Sequence, residues 1–260
     1  MPLRVMTAQP SAYSRIPAAV VLAAAVGFGG QAAAQPGSLR EGLFGRPPAD
    51  GRAMAPPPVA RYVSETGDIF ILDRSQPKPL LKFEHSPEVW VLLPQPGPRG
   101  DVIYKNDLGE PVLRATRLGG VTVFTDARPS GAAAALAGGG SPLKLAPLGP
   151  QALLERLAQA SARASRAARR LIPFDADATP ASSALIADAA IVASEAVVRL
   201  TRTSDGRLVL AQLRRVQLIE GRKSSAELSR GTLKITVAPA QGVSGRPSSE
   251  RIVTVALAER

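Results

Sequence analysis

His85 is the single histidine of the chain, and it stands in the run Phe83-Glu84-His85-Ser86-Pro87-Glu88. A histidine among acids can serve as a general base or as half of a metal site. With no cysteine and no second histidine, the other ligands of such a site would be carboxylates, which suit hard cations better than zinc. A solvated turn histidine is the plainer reading. Asp101, Asp107, Glu110 and Asp126 fall in turn-rich segments between apolar runs. Two carboxylates held a few ångströms apart in unlike environments can hydrolyse a substrate by acid–base chemistry. Nothing in their spacing brings these four together, and turns select aspartate for backbone reasons. Arg99-Gly100-Asp101 matches an adhesion tripeptide, but the surrounding turn explains it. Gly138-Gly139-Gly140 lacks the Lys-Ser/Thr ending of a phosphate loop, and no serine sits in a nucleophile elbow. Neither a cofactor nor a metal is expected.

Arginine supplies the other candidate chemistry. The formal charge is +11, and removing residues 1–34, with Arg4, Arg15 and no acid, leaves +9. An excess of that size favours anionic partners. Arg156, Arg163, Arg166 and Arg170 lie beside one another on a helix expected over 151–171, whose leucines and alanines form a separate apolar stripe. A basic amphipathic helix of this kind can meet an anionic surface. Its alanine-rich apolar face is thin, and it lacks the interleaved aromatics of single-strand binders. The expected partner is a protein or an anionic envelope component, not a nucleic acid.

The elements that would position these groups read as α+β. Six short apolar runs between Asp68 and Phe124, separated by turns at Gln76-Pro77, Pro96-Gly97-Pro98, Asn106-Asp107-Leu108-Gly109 and Gly119-Gly120, predict an antiparallel β-meander over 61–128. Gly119-Gly120 predicts a two-residue hairpin. Residues 129–150, rich in glycine and proline, read as a linker. The segment 151–260 reads as a lobe packing on the meander, as one unit or as two contacting lobes. It opens with two helices, over 151–171 and from Thr179-Pro180 to Leu200. Asp188, Glu195 and Arg199 form the polar seam of the second helix. Asp205-Gly206 predicts a turn before a strand at Leu208-Val209-Leu210. Strands follow at Val216–Ile219 and Leu233–Val237, and a short helix from Pro247-Ser248-Ser249-Glu250.

Residues 1–34 have the form of a signal peptide: Arg4 and Arg15, an apolar run from Ile16 to Phe28, then Ala32-Ala33-Ala34 before Gln35. The apolar run is about 13 residues, short of the roughly 20 that span a bilayer. Cleavage is expected near Ala34-Gln35, giving a periplasmic or secreted chain with no transmembrane anchor. The proline-rich stretch 35–60 reads as a linker.

Three segments carry a family likeness: Phe83 to Leu92 with Pro98-Arg99-Gly100-Asp101-Val102, Asn106 to Arg114, and Leu233 to Val237 with Gly245-Arg246-Pro247-Ser248-Ser249. They resemble a group of exported bacterial proteins known only as a domain of unknown function. The resemblance implies a bacterial origin and export, and it assigns no activity, ligand or catalytic residue. The leading expectation is a non-enzymatic binding or structural protein of the envelope. The alternatives are a hydrolase using the meander carboxylates and a charge-driven binder using the arginine-lined helix.

Overall fold

The computed structural model describes residues 57–259; the signal peptide and nearly all of the proline-rich linker read from the sequence lie outside them. Strand β1 (Val59–Ser64) alternates, turning Ala60, Tyr62 and Ser64 inward and Arg61 outward. It pairs antiparallel with β2 (Ile69–Asp73), and β2 with β3 (Leu80–Phe83). β3 pairs with β4 (Trp90–Val91). After Leu92, β5 (Leu93–Pro96) begins a second run of antiparallel neighbours: β6 (Val102–Lys105), β7 (Pro111–Ala115), β8 (Val121–Thr125) and β9 (Arg128–Gly139). β9 returns to pair with β1.

The resulting nine-stranded order is β4-β3-β2-β1-β9-β8-β7-β6-β5. Its two outermost strands are consecutive in the chain, separated only by Leu92. Two residues on either side of one residue cannot lie more than about 7 Å apart. The sheet therefore curls until its edges meet. Residues 90–96 act as one bent stave, pairing first with β3 and then with β6, and the sheet forms a small barrel. A barrel of about eight strands is just wide enough to be filled by its own side chains. Tyr62, Phe70, Leu72, Leu81, Leu92, Leu113 and Val123 do this.

Two corrections to the sequence reading follow from closure. The strands number nine, not six, and residues 129–139 are not linker but most of the longest strand. The alanine and glycine of β9 have low intrinsic strand preference, yet tertiary pairing on both sides holds them. Small residues are required there: a Cβ on Gly131 (φ +90°) would lie 2.6 Å from the Thr122 methyl and 2.9 Å from the Phe124 ring. The hairpin at Gly119-Gly120 forms, but its loop spans Thr116–Gly120, closed by a Thr116 N–H to Gly120 carbonyl bond.

The remainder is a helical layer on a four-stranded sheet. Helix α1 (Pro150–Ala168) packs Leu153, Leu157, Ala160 and Ala164 against α2 (Ser183–Leu200). The sheet has the order β10-β11-β13-β12, from β10 (Phe174–Ala176), β11 (Arg215–Glu220), β12 (Ser225–Ser229) and β13 (Thr232–Val237). β10, β11 and β13 run parallel. Helix α4 (Ser249–Ala258) starts at the Ser248 cap, as expected. Its core, centred on α2, is a separate cluster from the barrel's. No helix among the described residues is long and apolar enough to cross a membrane.

The strand expected at Leu208-Val209-Leu210 is instead helix α3 (Ser204–Gln212), and Asp205-Gly206 is its first turn. Thr203 caps it by accepting from the Gly206 N–H. Gly206 is there for contact: an added Cβ would lie 2.1 Å from the Leu200 carbonyl oxygen. Gly206→Ala should gain about 1 kcal/mol of helix propensity and lose more to overpacking, which costs about 1–3 kcal/mol where backbone must move. The net expectation is a lower denaturant midpoint at unchanged slope, measured by urea unfolding.

Candidate functional site

Antiparallel staves send successive turns to opposite ends of a barrel. One end gathers the turns 65–68, 84–89, 106–110 and 126–127; the other gathers 74–79, 97–101 and 116–120. His85, Asp107, Glu110 and Asp126 therefore share one end, and Asp101 lies at the other. The helical lobe faces the first end across a cavity of about 740 Å³ lined by His85, Glu110 and Asp126 from the barrel, and by Arg163, Glu195, Arg199, Arg202 and Glu250 from the helices. Phe83, Trp90 and Phe124 give the cavity its apolar wall.

The charged lining is a chain of alternating sign. Arg163 of α1 donates to the Ser194 hydroxyl (3.1 Å) and to the Glu195 carboxylate. Glu195 Oε1 lies 3.7 Å from Arg199 Nε, one helical turn on. Arg199 also donates to Glu250 Oε1 (3.1 Å) and lies over the Trp90 ring at 5.8 Å. Asn106 Nδ2 then donates to both Glu250 Oε2 (2.6 Å) and Glu110 Oε2 (2.9 Å). The Asn106 side chain is fixed because its oxygen accepts from the Leu108 and Glu110 backbone N–H groups. Two carboxylates thus share one amide. Burial raises the Glu250 carboxyl above its ordinary range, and Glu110 nearby adds to the rise, against the opposing Arg199.

His85 is 67% exposed, with Nδ1 4.0 Å from Asp68 Oδ1 and its ring against Phe83. Asp126 and Arg202 are exposed in the cavity lining and form no ion pair with a described residue. Asp107 lies outside this cavity and clasps the lobe: it accepts from Ser248 Oγ (2.6 Å) and Arg251 Nε (2.9 Å). Asp101 is held by the Arg114 guanidinium, which keeps its carboxyl below the usual range. Among the described residues no three His, Asp or Glu side chains gather as a metal-ligand set.

The arginine stripe divides. Arg163 is committed to Glu195, and Arg170 donates to the Leu210 and Ala211 carbonyls. Arg156 is exposed and donates to Gln159 on its own helix. Arg166 is exposed as well. Two of the four cations therefore build the lobe rather than face a partner.

Sequence reasoning missed Asn106, Trp90, Arg202 and Glu250 as site residues. The contact between lobe and barrel was expected, but not its polar character. The Arg246 side chain is 1% exposed and meets Asp188, Glu88 (3.7 Å) and the Val89 carbonyl (2.7 Å). Glu88 accepts from both the N–H and the hydroxyl of Ser249. Burial raises the Glu88 carboxyl, against the pull of Arg246 and the Ser249 hydrogen bonds. The usable signal was the seam Asp188, Glu195, Arg199. Three polar groups on one face of an otherwise apolar helix require a polar partner, and here Asp188 meets Arg246 while Arg199 meets Glu250.

No curated protein and no solved structure is found to match the chain. The model of the family described as domain of unknown function DUF4908 matches residues 38–256, most of the chain, and the protein belongs to that family.

Proposed function

We propose that this is an exported protein of the bacterial envelope that binds a small zwitterionic ligand in the barrel-mouth cavity and leaves it chemically unchanged. The observation that carries the reading is the lining itself. Most of its charges are already paired in the Arg163–Glu195–Arg199–Glu250 chain, while a cation, Arg202, and an acid, Asp126, carry no ion pair with a described residue beside an aromatic wall. A ligand bearing both charges would compensate both and lay its apolar part on Phe124 and Trp90. Cleavage near Ala34-Gln35 would place the chain in the periplasm or medium, a point read directly from the N-terminal mass of the secreted protein.

The test uses Trp90, the single tryptophan of the chain, as its reporter. Free amino acids and short peptides should change Trp90 emission saturably and raise the melting temperature; neutral sugars should not. Arg202→Ala and Asp126→Ala should each weaken binding about tenfold, the effect of losing one charge contact worth roughly 1.4 kcal/mol. Emission indifferent to every zwitterion tested would overturn the reading.

One observation favours a second reading, hydrolysis. Glu110 and Glu250 approach one amide nitrogen within 3 Å each, and burial sets Glu250 apart from the exposed Glu110. Two carboxyls in unlike environments can divide the roles of acid and base. Turnover of a glycoside or ester library, abolished by Glu110→Gln and by Glu250→Gln, would establish it in place of simple binding.

A further inference from the structure

A second cleft, of about 550 Å³, runs along the seam where the barrel closes, bordered by Val91 and Leu93 of the bent stave. Its polar lining differs in kind from that of the mouth. Four cations line it, Lys78, Lys223, Arg246 and Arg251, against a single carboxylate, Asp107. The two arginines are already engaged. Arg251 is spent on Asp107, and Arg246 on Asp188, Glu88 and the Val89 carbonyl. The two lysines have no counter-ion among the described residues; Lys78 Nζ lies 3.5 Å from the Ser244 hydroxyl. Ser224 of the loop after β11 and Ser225 at the start of β12 add their hydroxyls beside Lys223.

We propose that this cleft is a binding site for a phosphate-type oxyanion, held by Lys78, Lys223 and the two serine hydroxyls. Carboxylates are best recognised by an arginine fork, and both forks here are occupied. Two lysines act instead as mobile point charges, and with hydroxyl donors they suit the several oxygens of a tetrahedral anion. Each uncompensated ammonium also raises the positive potential at the cleft. The site is separate from the arginine helix, whose exposed cations Arg156 and Arg166 do not line it.

The phosphate has two possible sources: a small soluble phosphomonoester, or the headgroup of an anionic lipid. Titration of the mature chain with glycerol phosphate, followed by phosphorus NMR line broadening and calorimetry, tests the first. Sedimentation with phosphatidylglycerol vesicles, against phosphatidylcholine vesicles as control, tests the second. Saturable binding in either arm that weakens about tenfold in Lys78→Ala/Lys223→Ala supports the site and assigns its source. The same double variant should unfold at the wild-type midpoint, since both lysines are exposed. Arg156→Ala/Arg166→Ala should bind as wild type. If neither arm shows saturable binding, or if the lysine variant binds as tightly as wild type, the proposal fails. A zwitterion response at Trp90 that survives the lysine changes keeps this outcome independent of the mouth cavity.

Discussion

Arg246→Met is expected to cost about 3–5 kcal/mol, because it leaves the buried carboxylates of Glu88 and Asp188 without the cation they share. Methionine roughly conserves the volume of the side chain, so the loss reads charge and hydrogen bonding rather than a hole. The consequence should be local as well as global. Barrel and lobe have separate apolar cores, and much of what joins them is polar: Arg246 with Glu88 and Asp188, Asp107 with Ser248 and Arg251, and Asn106 with Glu250. Losing the most buried of these contacts should let the lobes part before either melts. Hydrogen exchange should therefore accelerate first at the turn 84–89 and over 245–250, where the chain enters α4. Adding Glu88→Gln and Asp188→Asn should recover much of the loss, since no charge is then stranded. Urea unfolding of the single and triple variants checks this, and a single variant within about 1 kcal/mol of wild type would show that the network does not hold the interface.

The same residues set a pH signature. The folded carboxyls of Glu88 and Glu250 are raised above the ordinary value of 4.5, by burial first in each case. Folded chain then holds more protons than unfolded chain just above pH 4.5, so their contribution to stability falls as pH rises through that window. Asp101, held down by Arg114, and Glu220, held down by the Ser182 and Thr179 side chains, act oppositely. Their contribution is present above the ordinary values of 3.8 and 4.5 and is lost as pH falls through the folded ones. Arg246→Met removes the cation that opposes burial at Glu88, so the upper window should extend to higher pH.

Where the sequence was legible, a local pattern and its tertiary use agreed. The period-two run Leu233–Val237 lies inside β13, and Leu153, Leu157, Ala160 and Ala164 form the buried stripe of α1. Where it was not, a residue type had two uses. Glycine and alanine at 131–139 look like linker because their local preference is weak, and they become strand only because β1 and β8 pair with them on either side. Asp205-Gly206 looks like a hairpin turn, but the glycine is chosen for closeness to Leu200. Arg163 lies on α1 and Arg170 just past its end at Ala168, short of the expected helix over 151–171, and their partners Glu195 and Ala211 come from other elements. The site was half readable. His85, Glu110 and Asp126 could be named from turns, but barrel closure brings them to one end, and Asp101 is excluded by the direction of its strand.

Phe70→Ala should be as costly as the loss of Arg246, for a different reason. Phe70 is fully buried in the barrel, stacked on Tyr62 at 5.4 Å between ring centroids and tilted against Phe83 at 5.6 Å. Truncation to alanine leaves a cavity walled by staves that closure prevents from collapsing, and such changes cost about 3–5 kcal/mol. Phe83 carries the effect outward, since it also touches Trp90, edge-on at 6.3 Å, and His85 at 5.5 Å. Trp90 emission should therefore shift before the global transition, and the urea midpoint should fall. Phe70→Leu keeps most of the volume and should cost less than about 1.5 kcal/mol, leaving a folded chain whose cavity wall is looser. In that variant zwitterion affinity should drop although no ligand contact has been removed, while phosphate binding at the seam cleft stays at its wild-type value. Equal losses at both sites would mean that the barrel transmits core damage everywhere. A loss confined to the mouth would show that the aromatic stack positions the wall of that cavity.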